Sequence, residues 1–274
     1  MTEFKSRGIL HQQNAKFCLD RYHPAPDIGA FVEHYWLIRW DLRDQPPHVQ
    51  ENLPYPCVHL ALEQEITTDA HHEAALIYGV VTGKFTRTLV GMGQVFGVKF
   101  KPASFYPILQ SSVAALTDHV IPLTQIFGPA CQDLSRTIFA LPDDTGRIAA
   151  MEGFLRAHLS EPNATVCRIN DMVDSIIRDR TILKVDDVAM RFNLSTRTLQ
   201  RLFQQYVGVS PKWVIKRFRL HEAIERMAAG EAHDWPKLAV ELGYFDQAHF
   251  IKDFKTLVGQ TPAEYARNCT SPNT

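Results

Sequence analysis

Two short runs near the C-terminal end carry the side chains best suited to chemistry with another molecule. Arg197, Thr198, Gln200, Arg201 and Gln204 are spaced to share one face of a helix, with Leu199, Leu202, Phe203 and Tyr206 on the other. An arginine fork can donate two hydrogen bonds to O6 and N7 of a guanine, and a glutamine can both donate to and accept from an adenine. Ser195 and Thr196, just ahead, offer an oxygen to cap such a helix. The second run is Gln247, Ala248, His249 and Lys252, outward from an apolar stripe of Phe250, Phe254 and Leu257 and preceded by Asp246 as a cap. The chemistry these runs can do is hydrogen bonding to base edges.

Each run needs a helix before it and a turn between. Val185–Phe192 reads as the first such helix, with small Ala189 allowing close crossing and Asn193-Leu194 making the turn. Trp235–Leu242 repeats it around Ala239, and Gly243-Tyr244-Phe245 makes the second turn, where glycine takes positive φ. Phe203-Gln-Gln-Tyr-Val-Gly208-Val-Ser210-Pro211 recurs as Phe254-Lys-Thr-Leu-Val-Gly259-Gln-Thr261-Pro262, a period of 51 residues. Gly208 and Gly259 end one helix; Ser210 and Thr261 cap the next, with a proline at its first position. Two helix-turn-helix motifs are therefore expected, at about 185–207 and 235–258. Pro211 to about Ala229 reads as one long connecting helix. If both reading helices enter successive major-groove segments, they lie about 34 Å apart.

Charge is divided in the same sense. The chain carries a formal net charge of −1, but residues 181–267 hold 13 Lys+Arg against 10 Asp+Glu, and residues 1–160 hold 13 against 16. Between Asp187 and Glu222 stand Arg191, Arg197, Arg201, Lys212, Lys216, Arg217 and Arg219 with no acid, either a solvated face or a nucleic-acid footprint.

The first 110 or so residues read as strands at Phe31–Trp40, Val58–Leu62, Ala75–Val81, Lys84–Val90 and Gln94–Phe100, hence a β-sandwich or half-barrel. From Asp143 the period becomes helical: Ile148, Met151, Leu155 and Leu159, then Val166, Ile169, Val173, Ile176 and Ile177. These stripes predict packing within the chain or a dimer contact. The fold class is α+β: a β-rich domain over 1–140, a helical linker or dimerisation region over 143–180, and an all-α domain over 181–268.

Residues 181–267 resemble the DNA-binding domain of the AraC/XylS family of bacterial transcription regulators, seven helices with two helix-turn-helix motifs. The resemblance is carried by Val188-Ala189, Ser195, Leu199, Arg201, Phe203, Gly208, Ser210-Pro211, Arg219-Leu220, Ala223, Leu238-Ala239, Gly243-Tyr244, Phe250, Phe254-Lys255, Gly259 and Thr261-Pro262. It implies base readout by Arg197, Gln200 and Arg201, and in the second motif by Gln247, Ala248, His249 and Lys252. Ala248 offers only a methyl group and Asp253 brings negative charge toward the phosphates, so the second motif is expected to position more than it specifies. The N-terminal half resembles the family's β-rich regulatory domains through Leu53-Pro-Tyr-Pro56, Tyr78-Gly-Val-Val-Thr-Gly83 and Gly97-Val-Lys-Phe-Lys-Pro102. The resemblance implies partners of double-stranded DNA, a second copy of the chain, RNA polymerase if it activates, and a small-molecule effector or protein signal.

An effector pocket is expected from Tyr35, Trp36, Trp40, Tyr55, His59 and Phe100, although aromatic density of this kind also builds cores. His59, His71 and His72 with Glu51, Glu63 or Glu73 lack metal-ligand spacing, and His71-His72 reads as a polar loop; no metal or other cofactor is expected. No phosphate loop, dinucleotide fingerprint or Gly-x-Ser-x-Gly occurs, and the five cysteines contain no Cys-x-x-Cys, so no enzyme and no disulfide framework is expected. The alternative is a β-rich domain with a catalytic pocket, tethered to DNA by the C-terminal domain; turnover by the purified protein would single it out. Without a membrane-length apolar run or a signal pattern around Glu3, Lys5 and Arg7, the expected compartment is the cytoplasm.

Overall fold

The computed structural model describes residues 16–68, 70–161, 163–230 and 234–270. The N-terminal stretch with Glu3, Lys5 and Arg7, Pro162, and the side chain of Cys269 lie outside the described residues. The N-terminal half contains strands β1 (Cys18–Tyr22), β2 (Val32–Leu42), β3 (His48–Asn52), β4 (His59–Ile66), β5 (His71–Tyr78), β6 (Phe85–Leu89), β7 (Gly91–Phe100) and β8 (Val120–Pro122). Short helices α1 (Tyr106–Leu109), α2 (Thr124–Phe127) and α3 (Leu134–Phe139) precede the longer α4 (Asp144–Arg156).

Six strands form an antiparallel sheet in the order β1-β2-β7-β4-β5-β8, and β3 pairs with β6 as a separate ribbon. Because alternate residues of a strand face opposite ways, β2 serves two interiors at once. Tyr35 and Leu37 join Leu60, Leu62, Phe96, Val98 and Phe100 in a core closed by Ile138 of α3 and Met151 and Leu155 of α4. Trp36, Ile38 and Trp40 face the other way, toward the side that the β3–β6 ribbon closes into a half-barrel. Two cross-strand pairs permit this: Trp36 lies opposite Gly97 and Trp40 opposite Gly93. A Cβ at Gly97 would stand 1.9 Å from the Trp36 ring, and one at Gly93 2.2 Å from the Trp40 ring. Only glycine leaves room for an indole to lie against β7.

Strands β1, β3 and β8 were not expected. Cys18-Leu-Asp-Arg-Tyr22 and His48-Val-Gln-Glu-Asn52 are polar segments held by their pairing partners rather than by intrinsic preference. His71-His72 is corrected from loop to strand: both residues open β5, paired with Ile66 and Glu65.

The remaining helices are α5 (Ala164–Arg178), α6 (Val185–Arg191), α7 (Thr196–Tyr206), α8 (Pro211–Ala228), α9 (Trp235–Glu241), α10 (Gln247–Val258) and α11 (Pro262–Thr270). The two apolar stripes between the halves part company. Met151 and Leu155 of α4 lie beneath the β-sheet, whereas Val166, Ile169, Val173 and Ile176 of α5 join Leu199, Phe203 and Val214. Both stripes are covered within the chain. Only with α5 included does the C-terminal bundle reach seven helices among the described residues.

Candidate nucleic-acid interface and ligand cavity

Both motifs close as their residue types require. After α6, Asn193 takes φ 51° and the Leu194 N–H donates to the Ala189 carbonyl at 2.9 Å. After α9, Gly243 takes φ 79° and the Tyr244 N–H donates to Ala239 at 2.9 Å. Ser195 is the N-cap of α7, its oxygen accepting from the Thr198 N–H at 3.2 Å, and Asp246 caps α10 by accepting from the His249 N–H at 2.7 Å. Gly208 and Gly259, at φ 93° and 89°, end α7 and α10. Ser210 then caps α8 through the Trp213 N–H, and Thr261 and Glu264 cap α11 reciprocally.

On α7, Leu199 and Phe203 are buried while Arg197, Gln200, Arg201 and Gln204 are exposed; Thr198 is half-buried, and Thr196 donates to Asp186 at 3.0 Å. On α10, Phe250, Phe254 and Leu257 are buried; Ala248, His249 and Lys252 are exposed and Gln247 is half-buried. The basic run divides by environment. Arg217 and Arg219 are each only 3% exposed. Arg217 donates to the Thr82 carbonyl and stacks over Trp213, and burial lowers its pKa to about 10. Arg219 donates to the carbonyls of Ile176 and Asp179, and to Glu222 at 2.6 Å. Arg191 pairs with Asp179. Lys216 pairs with Asp253 at 2.7 Å, so the charge of Asp253 that was expected to face phosphate is engaged inside the domain. Arg197, Arg201 and Lys212 remain exposed.

The half-barrel encloses a cavity of about 490 Å³. Of the six residues expected to form an effector pocket, Trp36, Trp40, Tyr55 and His59 line it. Tyr35 and Phe100 do not, and both are corrected to core residues: each is fully buried on the opposite sheet face, with Phe100 packed edge-on against Phe105. Strand alternation separates Tyr35 from its neighbour Trp36.

The cavity wall has further charged members. Arg87 pairs with Glu63 at 2.7 Å, and the Tyr78 hydroxyl donates to the same Glu63 oxygen at 2.8 Å. Burial pushes the Glu33 carboxyl up, but Lys99 at 2.9 Å and His34 outweigh it and hold it near 2. Burial, reinforced by Lys99, drives His59 down to about 3, so the ring is neutral; burial also raises its neighbour Cys57 to about 12. Sequence reasoning weighed Glu63 only as a metal ligand and missed Arg87 and Lys99, although odd-numbered positions of β4, β6 and β7 share the cavity face once the register is known. Among the described residues, no group of three or more His, Cys, Asp or Glu is placed to hold a metal ion.

The cavity touches the helices. Asp174 and Ile177 of α5 complete its lining, and Lys99 lies 3.8 Å from the Tyr55 ring. That ring meets Phe218 and His221 of α8 at 5.4 and 4.9 Å. A second seam joins Thr117 to the Gly208 carbonyl at 2.7 Å and Gln205 to the Tyr106 hydroxyl at 2.9 Å.

Residues 20–122 match a domain of unknown function, DUF6597, and residues 188–268 match a helix-turn-helix domain. The probable transcription factor PqrA of Proteus vulgaris is 31% identical over 94 residues, 34% of this chain and 75% of that protein. The Msm operon regulatory protein of Streptococcus mutans serotype c is 27% identical over 126 residues, 43% of each chain. The HTH-type transcriptional activator RhaS of Escherichia coli O139:H28 is 34% identical over 79 residues, 29% of this chain and 28% of that one. The chain thus spans less than half the length of the Msm and RhaS proteins. With two capped helix-turn-helix motifs on one helical connector, a helix-turn-helix domain match over residues 188–268 and a relative 31% identical over 75% of its length, the chain belongs to the AraC/XylS family of transcription regulators.

Proposed function

We propose that the protein is a sequence-specific, double-stranded DNA-binding transcription regulator controlled by a signal sensed in its β-rich half. The observation that carries this reading is the repeated motif: two exposed polar helix faces, on α7 and α10, held apart by the single 18-residue helix α8. At 1.5 Å per residue that helix is about 27 Å long, most of the roughly 34 Å that separates successive major-groove segments. The reading residues are Ser195, Thr196, Arg197, Thr198, Gln200, Arg201 and Gln204 in the first motif, and Asp246, Gln247, Ala248, His249 and Lys252 in the second. The effector residues are Trp36, Trp40, Tyr55 and His59. The proposed division of labour is sensing by residues 1–140, linking or dimerisation by 143–180, and DNA binding by 181–268, with α5 packed against the DNA-binding bundle.

A bound effector shifts DNA occupancy only if it favours one arrangement of the halves over another. Tyr55, in contact with both the cavity and α8, is the proposed route. The family and the relatives' names support regulation without catalysis. The protein is further proposed to be cytoplasmic, to act as a homodimer and, as the name transcriptional activator given to RhaS suggests, to activate transcription, with RNA polymerase as the partner that activation requires. Among the described residues, no helix is long and apolar enough to cross a membrane.

Selection from a random DNA pool tests the reading. The expected product is a site with two informative segments about 10 base pairs apart for each chain; absence of any enriched sequence would overturn it. The ion pairs add a second expectation. Lys212→Ala should reduce the slope of log affinity against log salt by about one, whereas Lys216→Ala, whose charge is committed to Asp253, should leave it nearly unchanged.

A further inference from the structure

The two motifs are not copies at one period. Val188 and Leu238, Ala189 and Ala239, Asn193 and Gly243, and Leu194 and Tyr244 stand fifty residues apart; Ser195 and Asp246, Leu199 and Phe250, Phe203 and Phe254, and Gly208 and Gly259 stand fifty-one apart. The structure identifies the extra residue. Leu194 leads directly into the cap Ser195, whereas Tyr244 is separated from the cap Asp246 by Phe245. Phe245 is 93% exposed. Among the described residues of this half, the other exposed large apolar side chains, Met190 and Val240, occupy matching places in the two motifs. Phe245 alone has no counterpart.

An exposed phenylalanine gains nothing from burial in this chain, and the turn closes through Tyr244, which is buried and bonded to Ala239. Folding therefore does not account for it. Its position does point to a partner: it immediately precedes the N-cap of α10, the end that a recognition helix brings to the base edges, and exposed Ala248 follows one turn later. Apolar groups at that end can read one feature of the major groove, the C5-methyl group of thymine.

We propose that Phe245 is a specificity-determining residue of the second motif, packing against a thymine methyl in the DNA segment read by α10. This rests on the DNA-reading function proposed above. It turns the second motif from a weak hydrogen-bonding reader into an apolar one.

Deoxyuridine keeps the hydrogen bonds of thymidine and lacks only the methyl group. With the full chain and a site selected as above, replacing the thymines of the α10 segment by deoxyuridine should weaken wild-type binding about 3- to 10-fold. Phe245→Ala should weaken binding to the thymine site by a similar factor and lose nothing more on the deoxyuridine site. Thermal unfolding unchanged from wild type would show that the variant is folded. Independent, multiplicative losses would overturn the proposal, as would unchanged DNA binding by Phe245→Ala; a transcription defect with normal DNA binding would assign the residue to a protein partner. Failure of the wild type to select any site would instead defeat the DNA-reading function itself.

Discussion

Replacing Arg201 by alanine is expected to cost about 1–3 kcal/mol on the cognate site, a factor of roughly 5 to 150, and to relax one base preference. Arg201 is exposed on α7, two residues from buried Leu199 and two from buried Phe203, so its guanidinium projects from the side of the helix that does not pack. A two-pronged contact with a guanine is lost with the side chain, and no smaller residue replaces both donors. The measurement is equilibrium binding to the selected site and to its single-base variants. Equal loss on every sequence would reassign Arg201 to phosphate. Thermal stability should not change, because the side chain supports no buried group.

Replacing Arg219 by alanine should have the opposite signature. This arginine belongs to the same basic run, yet it is 3% exposed and holds three acceptors: the Ile176 and Asp179 carbonyls at the end of α5, and the Glu222 carboxylate, itself 12% exposed. Removing it leaves Glu222 with only a 3.5 Å contact to Arg180 and leaves two carbonyls without that donor. Truncation of one partner of a buried pair costs about 3–5 kcal/mol. A fall in unfolding midpoint on the order of 10 °C should follow, read by calorimetry on the full chain. A midpoint within a degree of wild type would show that Arg219 is not a structural tie.

Arg201 and Arg219 mark where the sequence stops being legible. Residue type and spacing locate the helices, caps and glycine corners of the C-terminal half, because those depend on local chemistry: Ser195, Asp246, Gly208 and Gly259 all stand where their conformational preferences place them. Whether a basic residue faces water depends on which helix packs beside it, and nothing in the spacing of α5 ties it to the domain whose Arg219 it covers. The β-rich half shows the same limit. Its strongly apolar strands are visible as alternating segments, but the face each residue occupies follows from register. Thus Trp36 and Trp40 entered the cavity over Gly97 and Gly93, Tyr35 and Phe100 went to the core, and Glu63, Arg87 and Lys99 emerged as cavity residues only after the strands were paired. The inserted Phe245 was present in the sequence as a change of period from fifty to fifty-one, a signal that a single repeat length concealed.

The central claim is that two motifs on one chain read two separate stretches of DNA. Its most direct test is to repeat the random-pool selection with one variant in each motif, Arg201→Ala and His249→Ala, and compare base preferences with those of the wild type. The expected result is loss of preference in one segment for the first variant and in the other, about 10 base pairs away, for the second. Changes by both variants at the same base pairs, or preferences unchanged by either, would contradict it.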